Sequence, residues 1–183
     1  MRIISGKYKG HKLVSFDADH IRPTTDRVKQ TLFDKLMGLT GEARVLDLFS
    51  GTGNLGIEAL SREASHVDFV EENRKSLSIL KENLNKLRIT DGFKIHPVDV
   101  FKYLKRYEGA AYQLILADPP FTQKWADEVM TAIAASSAIG TDTIVAIESA
   151  AKETIRDVYS DLNLLDRKNF GDKNLSLFKA GSA

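Results

Sequence analysis

The chain has 183 residues and no cysteine, so neither a disulfide framework nor a thiolate metal site is open to it. It has only four prolines and no Pro-, Gly- or Ser-rich tract, which removes any compositional sign of a linker. No window approaches the length and apolarity of a membrane span. The start, Met-Arg-Ile-Ile-Ser-Gly, lacks the apolar core of a signal peptide, so a cytoplasmic protein is expected. No repeat recurs at a fixed period. The four histidines (His11, His20, His66 and His96) show no spacing suited to metal binding or acid–base work, and no metal is expected. What remains is 43% hydrophobic content in a length that suits one full core and is short for two.

The net charge of +1 conceals an asymmetry. Residues 1–30 hold seven Lys/Arg against three acids, an excess of +4 that leaves −3 for the rest. A basic N-terminal segment on a mildly acidic domain suits a phosphate backbone, although a solvated hairpin face has the same composition. Residues 2–4 and 11–15 read as two short strands around Gly6 and Gly10, a hairpin apart from the main sheet. Division at residue 22 gives an extension over 1–22 and a main domain over 23–183. As an outlying phosphate-binding hairpin, residues 1–16 are expected to be dispensable for folding.

Periodicity organises the remainder. Thr24 or Thr25 can cap a helix reaching about Leu39, with Val28, Leu32, Leu36 and Leu39 on one face. Strands near 44–49, 66–71, 93–98, 112–118 and 143–149 alternate with helices near 54–63, 73–88, 100–107 and 124–137. Leu77, Leu80, Leu84 and Leu87 form a stripe that reads as core packing. This alternation implies an α/β fold, a doubly wound and mostly parallel sheet with helices on both faces. A helix is expected near 151–159, followed by an antiparallel hairpin of 162–168 with 174–179 around Gly171-Asp172.

Two motifs carry chemistry. Leu114-Ile-Leu-Ala117 is a buried-strand pattern that ends in Asp118-Pro119-Pro120-Phe121. Proline fixes its own φ and restricts the preceding residue, so this tetrapeptide is a rigid bracket of acceptors beside an aromatic face. A strand-ending turn needs no more than that; an exocyclic amine on a planar base would also suit it, its protons accepted by the bracket and its ring stacked on Phe121. The second motif is Arg44-Val-Leu-Asp-Leu-Phe-Ser-Gly-Thr-Gly-Asn-Leu-Gly56, a strand, a glycine turn and a helix start. Gly51, Gly53 and Gly56, with Glu71 twenty positions after Gly51, would fit a dinucleotide fold. Asp47 argues against it, because a carboxylate aimed into the turn repels a pyrophosphate, whereas the sulfonium and ammonium of S-adenosylmethionine welcome one. Asp99 ends a third strand, where a helix N-cap alone would account for it. Four acids, Asp47, Glu71, Asp99 and Asp118, thus stand at the ends of four successive strands, the ligand-binding edge of an open α/β sheet.

On these motifs the chain resembles the Class I, Rossmann-like S-adenosylmethionine-dependent methyltransferases. More narrowly, it resembles the RsmD-type enzymes that methylate the guanine exocyclic amine of small-subunit (16S) ribosomal RNA. The resemblance covers almost the whole chain through Arg2-Ile-Ile-Ser-Gly-x-x-Lys-Gly, Arg22-Pro-Thr-Thr-Asp-Arg-Val-Lys, the segment Asp47 to Arg62, and Asp118-Pro-Pro-Phe. Ser50 and Thr52 depart from the expected Ala and Ser without removing a backbone N–H. The resemblance implies a seven-stranded sheet with one reversed strand. It implies S-adenosyl-L-methionine held by Asp47, Phe49, Gly51, Gly53, Glu71, Asp99 and Val100, with Glu71 on the ribose hydroxyls and Asp99 on the adenine amine. Asp118, Pro119, Pro120 and Phe121 are then catalytic. Arg2, Lys7, Lys9, Lys12, Arg22, Thr24 and Arg27 are expected to contact ribosomal RNA or the assembling small subunit, with the protein a monomer. An adenine-N6 methyltransferase would use the same bracket. An NAD-dependent oxidoreductase fits the glycines but neither Asp47 nor Asp118, and a silent RNA-binding module has no use for four strand-end acids.

Overall fold

The computed structural model describes residues 1–16 and 26–181. Arg22, Thr24, the predicted helix caps and the division at residue 22 lie outside the described residues. Among the described residues the elements run α1 (Asp26–Lys35), β1 (Arg44–Leu48), α2 (Asn54–Ser61), β2 (His66–Val70), α3 (Arg74–Lys86), β3 (Phe93–His96), α4 (Val100–Arg106), β4 (Leu114–Ala117), α5 (Ala126–Ala134), β5 (Ile144–Ala150), β6 (Val158–Tyr159), β7 (Leu162–Asn169) and β8 (Lys173–Ala180). They form one sheet ordered β3-β2-β1-β4-β5-β8-β7-β6. The first five strands are parallel, and β8 runs antiparallel between β5 and β7. The expected C-terminal hairpin is therefore present.

Strand side chains alternate between two cores. Val45, Leu114, Leu116, Ile144 and Ala146 face α1, α2 and α3, where they meet Leu32, Phe33, Ile57, Leu80 and Leu84. Leu46, Leu48, Ile115, Val145 and Ile147 face α4 and α5, where they meet Leu104, Val129, Met130 and Ile133. Burial on both faces explains why these strands read as near-continuous apolar runs.

Three expectations about the strands and helices are corrected. The sheet has eight strands, because the two-residue β6 adds to β7 at Val158 and Tyr159. The expected helix at 151–159 is absent. The Glu153 carboxylate is drawn instead to the Ala126 N–H at the start of α5 (2.7 Å) and the Ala150 N–H (3.3 Å), and Ala151 N–H donates to the Asp172 carbonyl, which holds the segment in turns. Finally, α1 stops at Lys35, and Leu39 is half exposed rather than on its apolar face.

The N-terminal segment pairs with itself through a single antiparallel bridge, Arg2 with Lys12. It does not stand apart. Ile3 and Leu13 are buried in the same core as α1, α2 and α3. The carboxylate of Glu58 on α2, fully buried, accepts the N–H groups of Ile4 (2.8 Å) and Ser5 (3.0 Å) and Arg62 Nε (2.9 Å), and pairs with Lys29 Nζ at 3.2 Å. Lys29 also donates to the Arg2 carbonyl (2.6 Å) and Asn54 Oδ1 (2.8 Å), and its burial lowers its pKa. Gly6 crosses α2 so closely that a Cβ there would fall 1.7 Å from the Ser61 carbonyl oxygen. Asn83 of α3 exchanges two hydrogen bonds with the Val14 backbone and donates a third to the Thr52 carbonyl, which ties this segment to the glycine turn.

Composition places Lys29 in the basic excess, yet it is a core residue. Residues 1–16 supply core side chains and cannot be removed without opening that core. Replacing Glu58 by Ala leaves a buried ammonium without its counter-charge and two backbone N–H groups without their acceptor. Urea unfolding of Glu58→Ala is expected to show a loss of about 3–5 kcal/mol.

Candidate active site

The strand ends gather the expected acids at one edge of the sheet. Asp47 is the fourth residue of β1, in register with Phe69 of β2 and Leu116 of β4. Its carboxylate, 1% exposed, accepts the Gly56 N–H at 2.8 Å and so pins the start of α2 to the strand. Gly56 has no room for a side chain, since a Cβ would lie 2.7 Å from that same carboxylate oxygen and 2.3 Å from the Phe69 ring. Between them, Phe49 adopts a left-handed φ of 56°, an uncommon state for a bulky residue and one concentrated at ligand sites. Gly53 caps α2, and Gly51 N–H donates 2.9 Å to Glu71, just past β2. The other Glu71 oxygen accepts Asn73 N–H at 2.7 Å. Each oxygen keeps a lone pair for a ligand hydroxyl.

Burial, the proximity of Asp118 and that of Glu71 all push the Asp47 carboxyl up, to about 8, against the opposing Gly56 hydrogen bond. Desolvation is the largest cause. A further anion such as a pyrophosphate would be repelled by the acids of this edge, whereas a cation would favour the ionised form of Asp47. Asp99 caps α4 by accepting Lys102 N–H at 2.9 Å, beside buried Val100. Asp118 directly follows β4, half-buried, with Pro119 buried, Pro120 exposed and Phe121 half-buried. The Pro120 carbonyl accepts Gln123 N–H (3.0 Å), closing the loop into a turn.

Sequence reasoning missed several residues at this edge. Trp125 joins the Phe49 ring (centroids 6.3 Å) to that of Phe101 (5.7 Å), forming an aromatic wall between the first and fourth strand ends. A lone tryptophan after the Pro-Pro turn was the available signal. Glu148, inside β5 and one residue beyond the Ala117–Ile147 pair, is a fifth acid here, and its buried partner is Lys173. Among the described residues, the basic side chains expected to meet RNA, Arg2, Lys7, Lys9, Lys12 and Arg27, lie on the N-terminal segment and α1. Arg2 pairs with Asp26 (2.8 Å), Lys7 lies over the Tyr8 ring, and Lys9, Lys12 and Arg27 are exposed. Arg27 also lines a cavity of about 390 Å³ with Val28 and the β7–β8 turn, Asn169 to Lys173. His96 hydrogen-bonds Asp68 at 2.6 Å, which Tyr112 also reaches at 2.8 Å; both belong to a buried polar cluster on the opposite face from Asp47.

The family described as "Conserved hypothetical protein 95" matches residues 1–179. This chain belongs to that family. It is 30% identical to "Ribosomal RNA small subunit methyltransferase D" of Escherichia coli K12, over 98% of this chain and 89% of that protein. It is 31% identical to "Putative rRNA methyltransferase YlbH" of Bacillus subtilis, over 98% of both. The solved structure "Putative methyltransferase yhhF from Escherichia coli" superposes with a TM-score of 0.88 at 29% identity, covering 100% of this chain and 99% of that one. The fold is accordingly Rossmann-like, of the methyltransferase kind.

A carboxyl whose folded pKa lies above its unfolded one binds extra protons in the folded state. Its contribution to stability is complete below about pH 4 and is lost as pH rises towards 8. Asp47→Asn removes that liability and keeps an acceptor for Gly56. The variant is expected to melt several degrees above the wild type at pH 8–9, from ~1–3 kcal/mol, with the gap closing towards pH 4. Calorimetric melting across that range checks it.

Proposed function

We propose that this protein is a methyltransferase that uses S-adenosyl-L-methionine to methylate the exocyclic N2 amine of a guanine in small-subunit ribosomal RNA. The observation that carries this reading is the Asp118-Pro119-Pro120-Phe121 bracket at the end of β4, one strand from the buried carboxyl of Asp47 and the glycine turn. The relatives' names support the RNA as substrate. No helix among the described residues is long and apolar enough to cross a membrane, and we assign the protein to the cytoplasm as a monomer acting on the RNA or the assembling small subunit.

The residues present fit the cofactor. Asp47, protonated in the empty protein, would ionise beside the cofactor's cationic groups, Glu71 would receive its ribose hydroxyls, and Asp99 would accept from its adenine amine. Phe49, Gly51, Gly53 and Val100 form the surrounding wall and turn. Bound there, S-adenosylmethionine supplies an electrophilic methyl group. The chain's own residues then work on the acceptor. Guanine's N2 lone pair is delocalised into the ring. Asp118 and the Pro119 carbonyl accept its two N–H bonds, favouring a pyramidal nitrogen with its lone pair aimed along the transfer path. The nitrogen–carbon bond would form as the donor's S–CH3 bond breaks and leaves a neutral thioether; the Asp118 carboxylate would stabilise the positive nitrogen more strongly than the ground state and take the proton that it sheds. Phe121 stacks a base that has left its helix, and the prolines hold donor and acceptor at attack distance.

Asp118→Ala is expected to abolish turnover while S-adenosylmethionine affinity stays within about threefold of wild type. Incubation of ribosomal particles from a strain lacking the gene with labelled methyl donor, followed by nucleoside analysis, reads the activity. Label in N6-methyladenine instead of N2-methylguanine would reassign the substrate, and wild-type turnover by the variant would refute the mechanism.

Lys7, Lys9 and Lys12 are exposed on the N-terminal segment and are proposed, with Arg2, to meet phosphates, and Arg22, Thr24 and Arg27 are proposed as further RNA contacts. Because these three lysine side chains stand outside the core, alanine at all three leaves the fold intact. RNA binding by the triple variant is expected to weaken, with its log–log salt slope flatter by about 0.7–0.9 for each phosphate that is no longer neutralised. An unchanged slope would move the RNA surface elsewhere.

A further inference from the structure

Beyond the bracket stands a buried ion pair that this mechanism leaves unused. Glu148 follows Ile147, which is paired with Ala117, so Glu148 stands beside Asp118 across the β4–β5 ladder. Both project to the face that carries α1, because Leu116 and Ala146, two residues earlier, do so. From the next strand, Lys173 sends its ammonium to Glu148 Oε2 at 2.9 Å and over the Phe121 ring at 4.6 Å from its centre. Both side chains are almost completely buried, at 1% and 5% exposure. Lys173 also lines the cavity of about 390 Å³ that opens between Arg27 and the β7–β8 turn. That turn is held in shape by Asn169, which accepts Gly171 N–H at 3.0 Å and donates to Asn174 Oδ1 at 2.9 Å.

Three strands thus present a row: the Asp118 carboxylate, then the Glu148 carboxylate, then the Lys173 ammonium. In hydrogen-bonding terms the row is acceptor, acceptor, donor. The edge of guanine that bears the methylated amine reads N2–H donor, N1–H donor, O6 acceptor, the complement in the same order. Adenine presents its amine, then a bare N1 acceptor and a C–H, which would set N1 against the Glu148 carboxylate. We infer that Glu148 and Lys173 are specificity-determining residues that read the N1–H and O6 of the target guanine while Asp118 holds its N2 amine. In the resting protein the ammonium rests on Phe121; a base stacking on that face takes its place, and the displaced ammonium meets the base at its O6 edge. The pair, already buried, is matched only by guanine, which is how a buried polar site rejects an analogue that lacks one of its groups.

This inference rests on the methyltransferase reading, and the experiment separates the two. The RNA segment carrying the methylated guanine is prepared with guanine or 2-aminopurine at that position. The analogue keeps the 2-amine but lacks O6 and N1–H. Wild-type protein is expected to prefer guanine by a hundredfold or more in kcat/KM. In Glu148→Gln/Lys173→Met, which leaves no buried charge unpaired, that preference should fall below about tenfold, with S-adenosylmethionine affinity retained as the sign of a folded protein. A merely structural pair would slow both RNAs alike and leave the ratio unchanged, which overturns the inference. Equal wild-type rates on the two RNAs overturn it without any variant. Failure of wild-type protein to methylate the guanine RNA would instead count against the methyltransferase reading itself.

Discussion

The carboxylate of Glu58 holds this molecule together. Buried among apolar side chains, it is tolerable only because two backbone N–H groups, an ammonium and a guanidinium surround it. Those partners come from three separate stretches of chain. Ile4 and Ser5 belong to the N-terminal motif, Lys29 to α1, and Arg62 to the end of α2. The family-specific motifs that seemed to describe an RNA-binding arm therefore meet at one structural point. Their positions are constrained because a buried charge needs all of its partners at once, and because Gly6 must lie against the α2 backbone.

From that anchor the candidate site follows. With α2 fixed by Glu58 at one side and by Asp47 at its first turn, the glycine turn between them has little freedom, and Asn83 ties it further to α3. The turn in turn presents Gly51 to Glu71. The outcome is an edge where burial, first, and the nearness of Asp118 and Glu71, second, hold Asp47 protonated near neutrality. Such crowding is unfavourable to the folded state alone. It is the arrangement expected where a cationic ligand completes the charge balance.

Much of this was legible in the sequence. Apolar runs bounded by glycine, proline and acidic residues located all five parallel strands within a few residues, because strands buried on both faces leave a strong local signal. Asp118-Pro-Pro-Phe was legible for a similar reason, since proline geometry is local. The helix expected at 151–159 failed because Glu153 was drawn to the first turn of α5, a partner 27 residues distant in the chain. Lys29 failed in the opposite direction: composition counts it as surface charge, and a carboxylate 29 positions further on drew it into the core.

The sequence by itself determined the order of strands and helices, the rigid bracket and the glycine turn, each of which depends on the conformational limits of a few consecutive residues. Only the tertiary structure decided which charges are buried and which strand ends are neighbours. Glu148 and Lys173 lie 30 and 55 positions beyond Asp118, and neither belongs to a motif. Sheet order β4-β5-β8 brings them to its side. Pairing across a sheet is a long-range choice, made by the packing of two whole cores, and no local pattern of residues records it.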